Sequence, residues 1–187
     1  MSKAELLEVI SELPERCLER AISDCLVSLI ANSEYLSADQ IISNLLIKVS
    51  GRPNLLLKAR MLGIQIACRN KNIGLAISRY HELGQLSAGV EVANARSKAL
   101  FQLAEVLLPD NPTQLLTLWE TSIAENLPFH AQYDLAAIGI MLGRCYLRNG
   151  AKDQALMVCK TIADTFEPGA YGNKLAKLMR TICQVDG

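Results

Sequence analysis

Hydrophobic residues recur along the chain at the three- and four-residue spacing of amphipathic helices, and the alternation typical of strands is almost absent. The pattern predicts ten helices, with ends placed to within about two to four residues. They cover residues 3–12, 15–31, 37–49, 54–69, 72–84, 87–107, 112–125, 130–148, 151–166 and 171–184. Short polar connections separate them, so consecutive helices are expected to run antiparallel as hairpins. The predicted fold class is therefore all-α, a stack of antiparallel helical hairpins.

Polar residues mark the predicted starts of three helices. Ser2 and Ser37 are each followed three residues later by Glu or Gln, which is the arrangement of a capping box. Asn111 precedes Pro112, and Gln114 completes a similar pattern. A third helix is therefore expected to begin there, with proline in its first turn.

Two predicted helices, over residues 54–68 and 135–147, are apolar on nearly all sides. A helix tolerates this composition when other helices surround it. Each contains a Leu-Gly pair, which ends at Gly63 in the first helix and at Gly143 in the second. Because a glycine inside a helix costs about 1 kcal/mol relative to alanine, a second helix is expected to approach closely at each missing side chain.

The segments around these two glycines resemble each other and are similar to tetratricopeptide (TPR) repeats, in which two antiparallel helices occupy about 34 residues. Residues 136–169 match that pattern with, in order, Leu142-Gly143, Tyr146, a turn at Gly150, Ala155 and Pro168. The stretch 57–90 is a degenerate copy. It keeps Leu62-Gly63, Ala76 and Tyr80, but it has Ile66 at the tyrosine position, one extra residue before the alanine and no closing proline.

The resemblance covers about a third of the chain and implies a TPR-like α-solenoid within one all-helical domain, residues 1–187. Residues 1–53 then form N-terminal helices, 54–169 form hairpins, and 170–187 form a capping helix. The exposed basic edge of that last helix is expected to be Lys174, Lys177 and Arg180. Trp119, the sole tryptophan, is expected to pack between hairpins. A closed helical bundle with coincidental Leu-Gly pairs is the alternative fold.

Charge and hydropathy limit the classes of partner. Lys and Arg total 19, as do Asp and Glu, and no basic run exceeds two residues, whereas nucleic-acid binders depend on contacts to phosphate. Half of the residues are hydrophobic and the mean hydropathy is +0.19, enough for a core and for some apolar surface that a partner covers. The N-terminal segment lacks signal-peptide character, and the longest uncharged apolar run, 135–143, is far shorter than the ~20 residues that span a bilayer. A cytoplasmic protein without a membrane partner is expected, and nucleic acid is disfavoured.

No residue pattern typical of an active site or a metal centre is present in the sequence. The cysteines form no Cys-x-x-Cys pair and are expected to be small buried hydrophobes; they are Cys17, Cys25, Cys68, Cys145, Cys159 and Cys183. The two histidines, His81 and His130, lie apart from any cysteine pair. Glu12, Glu15 and Glu19 have helical spacing but no accompanying Glu-x-x-His motif. With no phosphate loop or nucleophile turn either, the sequence predicts no catalysis, no cofactor and no bound metal.

The candidate binding residues follow from the repeat at 136–169, because the first helix of each hairpin lines the groove of a solenoid. Arg144 and Arg148 lie one turn apart on that side, with Ile140 and Leu147 alongside, and Arg69 and Gln65 are the nearest equivalents in the degenerate repeat. Two guanidinium groups could bind a carboxylate of a partner peptide while apolar neighbours hold a side chain. The alternative is that these arginines are solvated charges near helix C-termini, which they also favour.

The resemblance implies a protein-protein interaction module, an adaptor, scaffold or dedicated chaperone that binds a peptide or helix of another protein. One alternative is a transcriptional regulator with a helix-turn-helix over residues 37–69, although its second helix is too apolar to lie in a groove of DNA. A structural subunit of a larger complex and a homo-oligomer are further alternatives.

Overall fold

The computed structural model describes residues 34–86, 89–125, 129–169 and 171–184, together with the single residues 14, 17, 20 and 24. Within these ranges it contains helices and no strands, which confirms the predicted all-α class for this part of the chain. The helices are α1 (Tyr35–Lys48), α2 (Pro53–Arg69), α3 (Ile73–Gly84), α4 (Val90–Leu107), α5 (Pro112–Ile123), α6 (Phe129–Arg148), α7 (Lys152–Thr165) and α8 (Gly172–Gln184). The predicted helix over 3–12, the cap at Ser2, and Glu12, Glu15 and Glu19 lie outside the described residues, as does nearly all of 15–31.

Most predicted helix ends agree with the structure to within two residues, and the differences have local causes. Helix α1 begins at Tyr35 with Glu34 as its N-cap, because the amide of Ala38 already donates to the carbonyl of Glu34. The predicted capping box at Ser37 is therefore wrong. Helix α4 begins at Val90 rather than at 87, since Gly89 has the extended backbone of an N-cap.

Two other helix starts show what the caps contribute. Asn111 is the N-cap of α5 and Pro112 occupies the first turn, as expected, although the Asn111 side chain makes no capping hydrogen bond. In α3 the Asn72 side chain does accept a hydrogen bond, from the amide of Leu75 at 3.2 Å.

Between α6 and α7, Gly150 has a φ of +73°, which glycine adopts without steric cost. The predicted turn at this glycine is therefore confirmed.

The chain divides into two compact units, Met1–Leu86 and Ser87–Gly187. Helices α1 to α3 belong to the first unit, and α4 to α8 belong to the second. The boundary between them falls inside the segment 54–169 that the sequence predicts to be one run of hairpins, and not at either end of that segment. None of the helices that the structure describes is both long and apolar enough to cross a bilayer.

In the first unit α2 packs against both α1 and α3. A buried arginine joins the three helices: Nη1 of Arg79 in α3 donates to the carbonyl of Gly63 in α2 at 2.8 Å and lies 2.5 Å from Oδ1 of Asp39 in α1. The contact with Asp39 is an ion pair without an aligned hydrogen bond. A Cβ on Gly63 would lie 3.2 Å from Cγ2 of Ile42 and 3.4 Å from Cδ of Arg79. The expected close approach at Gly63 is therefore confirmed.

In the second unit α6 packs against α4, α5, α7 and α8, which explains why its sequence is apolar on nearly all sides. Trp119 of α5 is fully buried, and its Nε1 donates to the carbonyl of Leu135 at 2.7 Å. A Cβ on Gly143 would lie 2.8 Å from Cδ2 of Leu178 in α8 and 3.9 Å from the carbonyl of Ala155 in α7. The close approach at Gly143 is confirmed, and Trp119 is buried against α6.

Helix α8 is amphipathic. Its buried residues are Leu175, Leu178 and Ile182, and its exposed residues include Lys174, Lys177 and Arg180, so the predicted solvated basic edge is confirmed. Cys183 follows Ile182 and is exposed, because consecutive residues on a helix lie about 100° apart around its axis.

The cysteines divide into buried and exposed thiols. Cys68, Cys145 and Cys159 are buried, as expected. The expectation is wrong for Cys17 and Cys183, which are exposed, and Cys25 lies outside the described residues.

Candidate functional site

A surface pocket lies in the second unit where the C-terminal turns of α4 and α6 meet. Its volume is about 460 Å³. The end of α4 and the turn after it contribute Glu105, Leu108 and Pro109, and the end of α6 and the turn after it contribute Met141, Arg144, Cys145, Arg148 and Asn149. We call this the arginine pocket. Its walls combine apolar side chains with two cations.

Helix α6 presents the two arginines by its spacing. Arg144 and Arg148 lie four residues apart, so they lie one above the other on the same helix face, and both are exposed. Leu142 and Tyr146, each two residues before one of the arginines and so on the opposite side of the helix, are buried. Their burial sets the rotation of α6 and turns the arginines outward. Arg148 also lies in the last turn of the helix, where a positive charge interacts favourably with the helix dipole.

Neither arginine forms a hydrogen bond or an ion pair with another of the residues that the structure describes. Three other arginines differ, since each is paired with a carboxylate: Arg60 with Glu82, Arg79 with Asp39 and Arg96 with Glu125. With Glu105 as the one carboxylate among its lining residues, the arginine pocket has a formal charge of +1 from two arginines and one glutamate. It therefore offers two guanidinium groups to an external anion.

Cys145 is the thiol of the arginine pocket, and its surroundings keep it protonated. Its Sγ donates to the carbonyl of Pro109 and accepts from Nδ2 of Asn149, both at 3.8 Å. Burial raises the pKa of Cys145, and the positive charge of Arg148 opposes that effect only in part. Because a thiolate is the nucleophilic form, this residue is not activated. Among the described residues, here or elsewhere, there is no cluster of three or more His, Cys, Asp or Glu side chains that could hold a metal ion.

Alkylation rates should distinguish these thiols. Burial raises the pKa of Cys159 to about 11, whereas Cys183 is exposed. With iodoacetamide at mildly alkaline pH, we expect Cys183 of the native protein to react at least about tenfold faster than Cys145 or Cys159, because Cys183 is exposed, whereas burial limits access to the other two thiols and raises the pKa of each. Peptide mass spectrometry would measure the rates, and in denaturant the three should become similar. Equal alkylation rates for Cys145 and Cys183 in the native state would contradict the conclusion that Cys145 is not activated.

The structure brings together two of the six residues predicted to bind a partner. Arg144 and Arg148 line the arginine pocket. Leu147 is half-buried on α6 and does not line it, and Ile140 is only 3% exposed and lies in the core, so its side chain is not available to a partner. Arg69 and Gln65 lie in the last two turns of α2, in the first unit. The pocket is formed without these four.

Sequence reasoning missed the apolar side chains of the pocket and its one carboxylate. Met141 lies three residues before Arg144, so helical spacing alone could have identified it. Glu105, Leu108 and Pro109 come from a different helix, and no local pattern in the sequence relates them to Arg144. Their placement depends on the packing of α4 against α6.

Comparison with protein-family models, with curated proteins and with solved structures finds no match to this chain. The geometry of the arginine pocket is therefore the basis for assigning a function. That geometry consists of two adjacent cations without ion-pair partners among the described residues, on one helix face, beside apolar side chains that are half-buried or exposed.

Proposed function

We propose that this protein is a non-catalytic protein-protein interaction module that binds an acidic peptide segment of a partner protein in the arginine pocket. The observation that carries the proposal is the pair Arg144 and Arg148, exposed one turn apart and unpaired among the described residues. A cytoplasmic adaptor, scaffold or dedicated chaperone would have this activity.

Charge complementarity selects the acidic segment. A guanidinium presents a planar fork of donors that matches a carboxylate, so two of them can hold one or two acidic side chains in a defined orientation. Glu105 on the opposite wall limits the positive charge of the pocket. This arrangement favours a carboxylate over a polyanion such as nucleic acid, which requires a broader basic surface.

Apolar contacts supply the rest of the affinity. Met141 is half-buried, and Leu108 and Pro109 form the facing wall. Methionine side chains adapt to partners of different shape because they are unbranched and flexible. A partner side chain next to the acidic residue would cover this apolar surface, and the acidic residue would set its orientation.

We also propose that α4 to α8 form a TPR-like array. Helices α4, α6 and α8 are the first helices of successive hairpins in this interpretation, and α6 contacts both of the others. Side chains at the positions that resemble the repeat pattern, Leu142, Tyr146 and Ala155, are buried, and Gly143 accommodates α8. First helices that adjoin in this way line a common binding surface.

The DNA-binding alternative is less well supported. Its proposed second helix is α2, which packs between α1 and α3 and has seven buried residues. A recognition helix needs a polar exposed face to enter the major groove. A gel shift with genomic fragments at low salt would reveal salt-sensitive binding if this alternative were correct.

Replacing both arginines tests the proposal. We expect Arg144→Ala with Arg148→Ala to weaken partner binding more than tenfold, equivalent to about 1.4 kcal/mol, without lowering the melting temperature, since both side chains are exposed. The partner is first isolated by affinity capture on the wild-type protein, and its Kd is then measured by calorimetry for each variant.

A matched control for this test is Lys174→Ala with Lys177→Ala, which also removes two exposed positive charges but from α8. This control should keep the wild-type Kd. If the arginine variant binds as tightly as the control, the arginine pocket is not the binding site.

A further inference from the structure

We infer that a second pocket, near the N-terminal end of α6, binds a lysine side chain of the same partner segment. The inference rests on the proposed function, because it assumes that an acidic residue of that segment occupies the arginine pocket. It adds a second chemical requirement, an alkylammonium group at a defined distance from the carboxylate.

The second pocket is small and aromatic. Its volume is about 40 Å³, and it is lined by Gln132, Tyr133, Phe166, Glu167, Gly169 and Tyr171. We call it the aromatic pocket. Three of its six lining residues are aromatic and one is a carboxylate. Aromatic ring faces attract cations, and a carboxylate adds a direct electrostatic attraction, so the lining is complementary to a positive charge.

The aromatic rings are held in place by the fold. Phe166 and Tyr171 are both buried and meet edge to face, with centroids 6.2 Å apart and an interplanar angle of 78°. The Tyr171 hydroxyl donates to the carbonyl of Phe166, which fixes the turn between α7 and α8. Two nearly perpendicular rings form a corner, and Tyr133 of α6, at 38% exposure, borders it from the solvent side.

The carboxylate of Glu167 lies close enough to act on this corner. Glu167 is exposed. The pKa of Tyr171 is raised mainly by the burial of that tyrosine and, as a second cause, by the negative charge of Glu167. Gly169 leaves room in the wall, since a Cβ there would already contact the Tyr133 hydroxyl at 3.6 Å. The space is large enough for a compact ammonium group with its adjacent methylenes.

The two pockets lie along one face of α6. Tyr133 and Arg144 are separated by eleven positions, which on an α-helix is about 16 Å along the axis and returns to nearly the same side. Ala137 and Met141 lie on this side between them, and neither is buried. An extended peptide advances about 3.3 Å per residue. A lysine and an acidic residue about five positions apart would therefore reach both pockets at once.

The pockets differ in charge, and this difference sets the orientation of the segment. The arginine pocket has two cations and one carboxylate, whereas the aromatic pocket has a carboxylate and no cation among its lining residues. A segment with lysine at one end and Glu or Asp at the other fits one way along α6, and the reversed alignment places like charges together. Lysine is favoured over arginine because its ammonium is a compact point charge on a flexible stem.

The test uses synthetic peptides and the full-length, isotope-labelled protein followed by NMR titration. The probe is an acetylated, amidated peptide with Lys, four neutral residues and Glu, compared with the same peptide carrying norleucine, a neutral side chain of similar length, in place of Lys. We expect the lysine peptide to shift resonances of Tyr133 and Gly169 as well as those near Arg144. It should bind about fivefold more tightly than the norleucine peptide.

Variants separate the two pockets. Glu167→Gln should reduce the affinity for the lysine peptide to that for the norleucine peptide, whereas Asp164→Asn, a neighbouring exposed carboxylate outside the pocket lining, should leave both unchanged. Equal affinities of the two peptides for the wild-type protein, combined with a loss in the Arg144→Ala and Arg148→Ala variant, would overturn the lysine pocket and leave the acidic-segment function intact. Equal binding of both peptides to the wild-type protein and to that arginine variant would overturn both.

Discussion

Replacing Arg79 by alanine is expected to lower the free energy of unfolding of the first unit by about 3 kcal/mol. Arg79 is 8% exposed, and its guanidinium holds the carbonyl of Gly63 and the carboxylate of Asp39. Without it, the partly buried carboxylate of Asp39 loses its cationic partner and the carbonyl of Gly63 loses its side-chain donor. An uncompensated charge of this kind is costly. Urea denaturation followed by circular dichroism, with hydrogen exchange of the α1 to α3 amides, would measure the effect.

The matched control for this prediction is Arg60→Ala in α2. Arg60 also pairs with a carboxylate, Glu82, at 3.2 Å, but the two side chains are 21% and 45% exposed. A pair with that much solvent contributes at most about 1 kcal/mol. The double variant with Arg79→Met and Asp39→Asn should lose less stability than the two single variants lose in sum. In the double variant both charged groups are removed, so neither is left buried without its partner. A loss at Arg79 no greater than that at Arg60 would show that the buried ion pair does not hold the three helices together.

A single methyl group added at Gly139 is expected to destabilise the second unit by about 1–3 kcal/mol, although alanine is the better helix former by about 1 kcal/mol. A Cβ there would lie 2.7 Å from Cζ2 of Trp119 and 2.9 Å from Cδ1 of Ile162. Both side chains are fully buried, and the indole is held by its hydrogen bond to Leu135. Neither can move without disturbing the core.

Two other glycines provide a graded comparison. Gly143→Ala should cost less than Gly139→Ala, because the nearest atom at 2.8 Å is the end of the flexible Leu178 side chain. Gly172→Ala, at the start of α8, should be neutral or stabilising, since its Cβ would be no closer than 4.0 Å to Pro168. Trp119 is the sole tryptophan, so its fluorescence during urea unfolding reports on this unit. If Gly139→Ala were as stable as Gly172→Ala, the packing of α6 against Trp119 would be looser than the distances indicate.

The helices and two of their close approaches could be predicted from the sequence because both have local causes. A spacing of 3.6 residues per turn produces the hydrophobic periodicity that locates α2 and α6. A glycine that interrupts an apolar helix is unfavourable by itself, which is why Gly63 and Gly143 indicated neighbouring helices. Gly139, the most crowded of the glycines in the described ranges, was missed. It lies in the same apolar helix, and nothing local relates it to the indole of Trp119.

Some features of the candidate site could likewise be predicted from the sequence, and others could not. The spacing of Arg144 and Arg148 on one helix face follows from the sequence, and so does their exposure beside the buried Leu142 and Tyr146. Ile140 was expected at the surface and is buried, whereas Met141 lines the pocket.

The residue pattern is sufficient to identify which segments are helical and which side chains share a face, because both depend on the geometry of one helix. Which parts of each face are covered depends instead on how the helices pack against one another. This packing places the end of α4 beside the two arginines, and the turn after α7 beside Tyr133. Contacts between segments that are distant in the chain depend on the packing of whole helices, and no local pattern of residues encodes them.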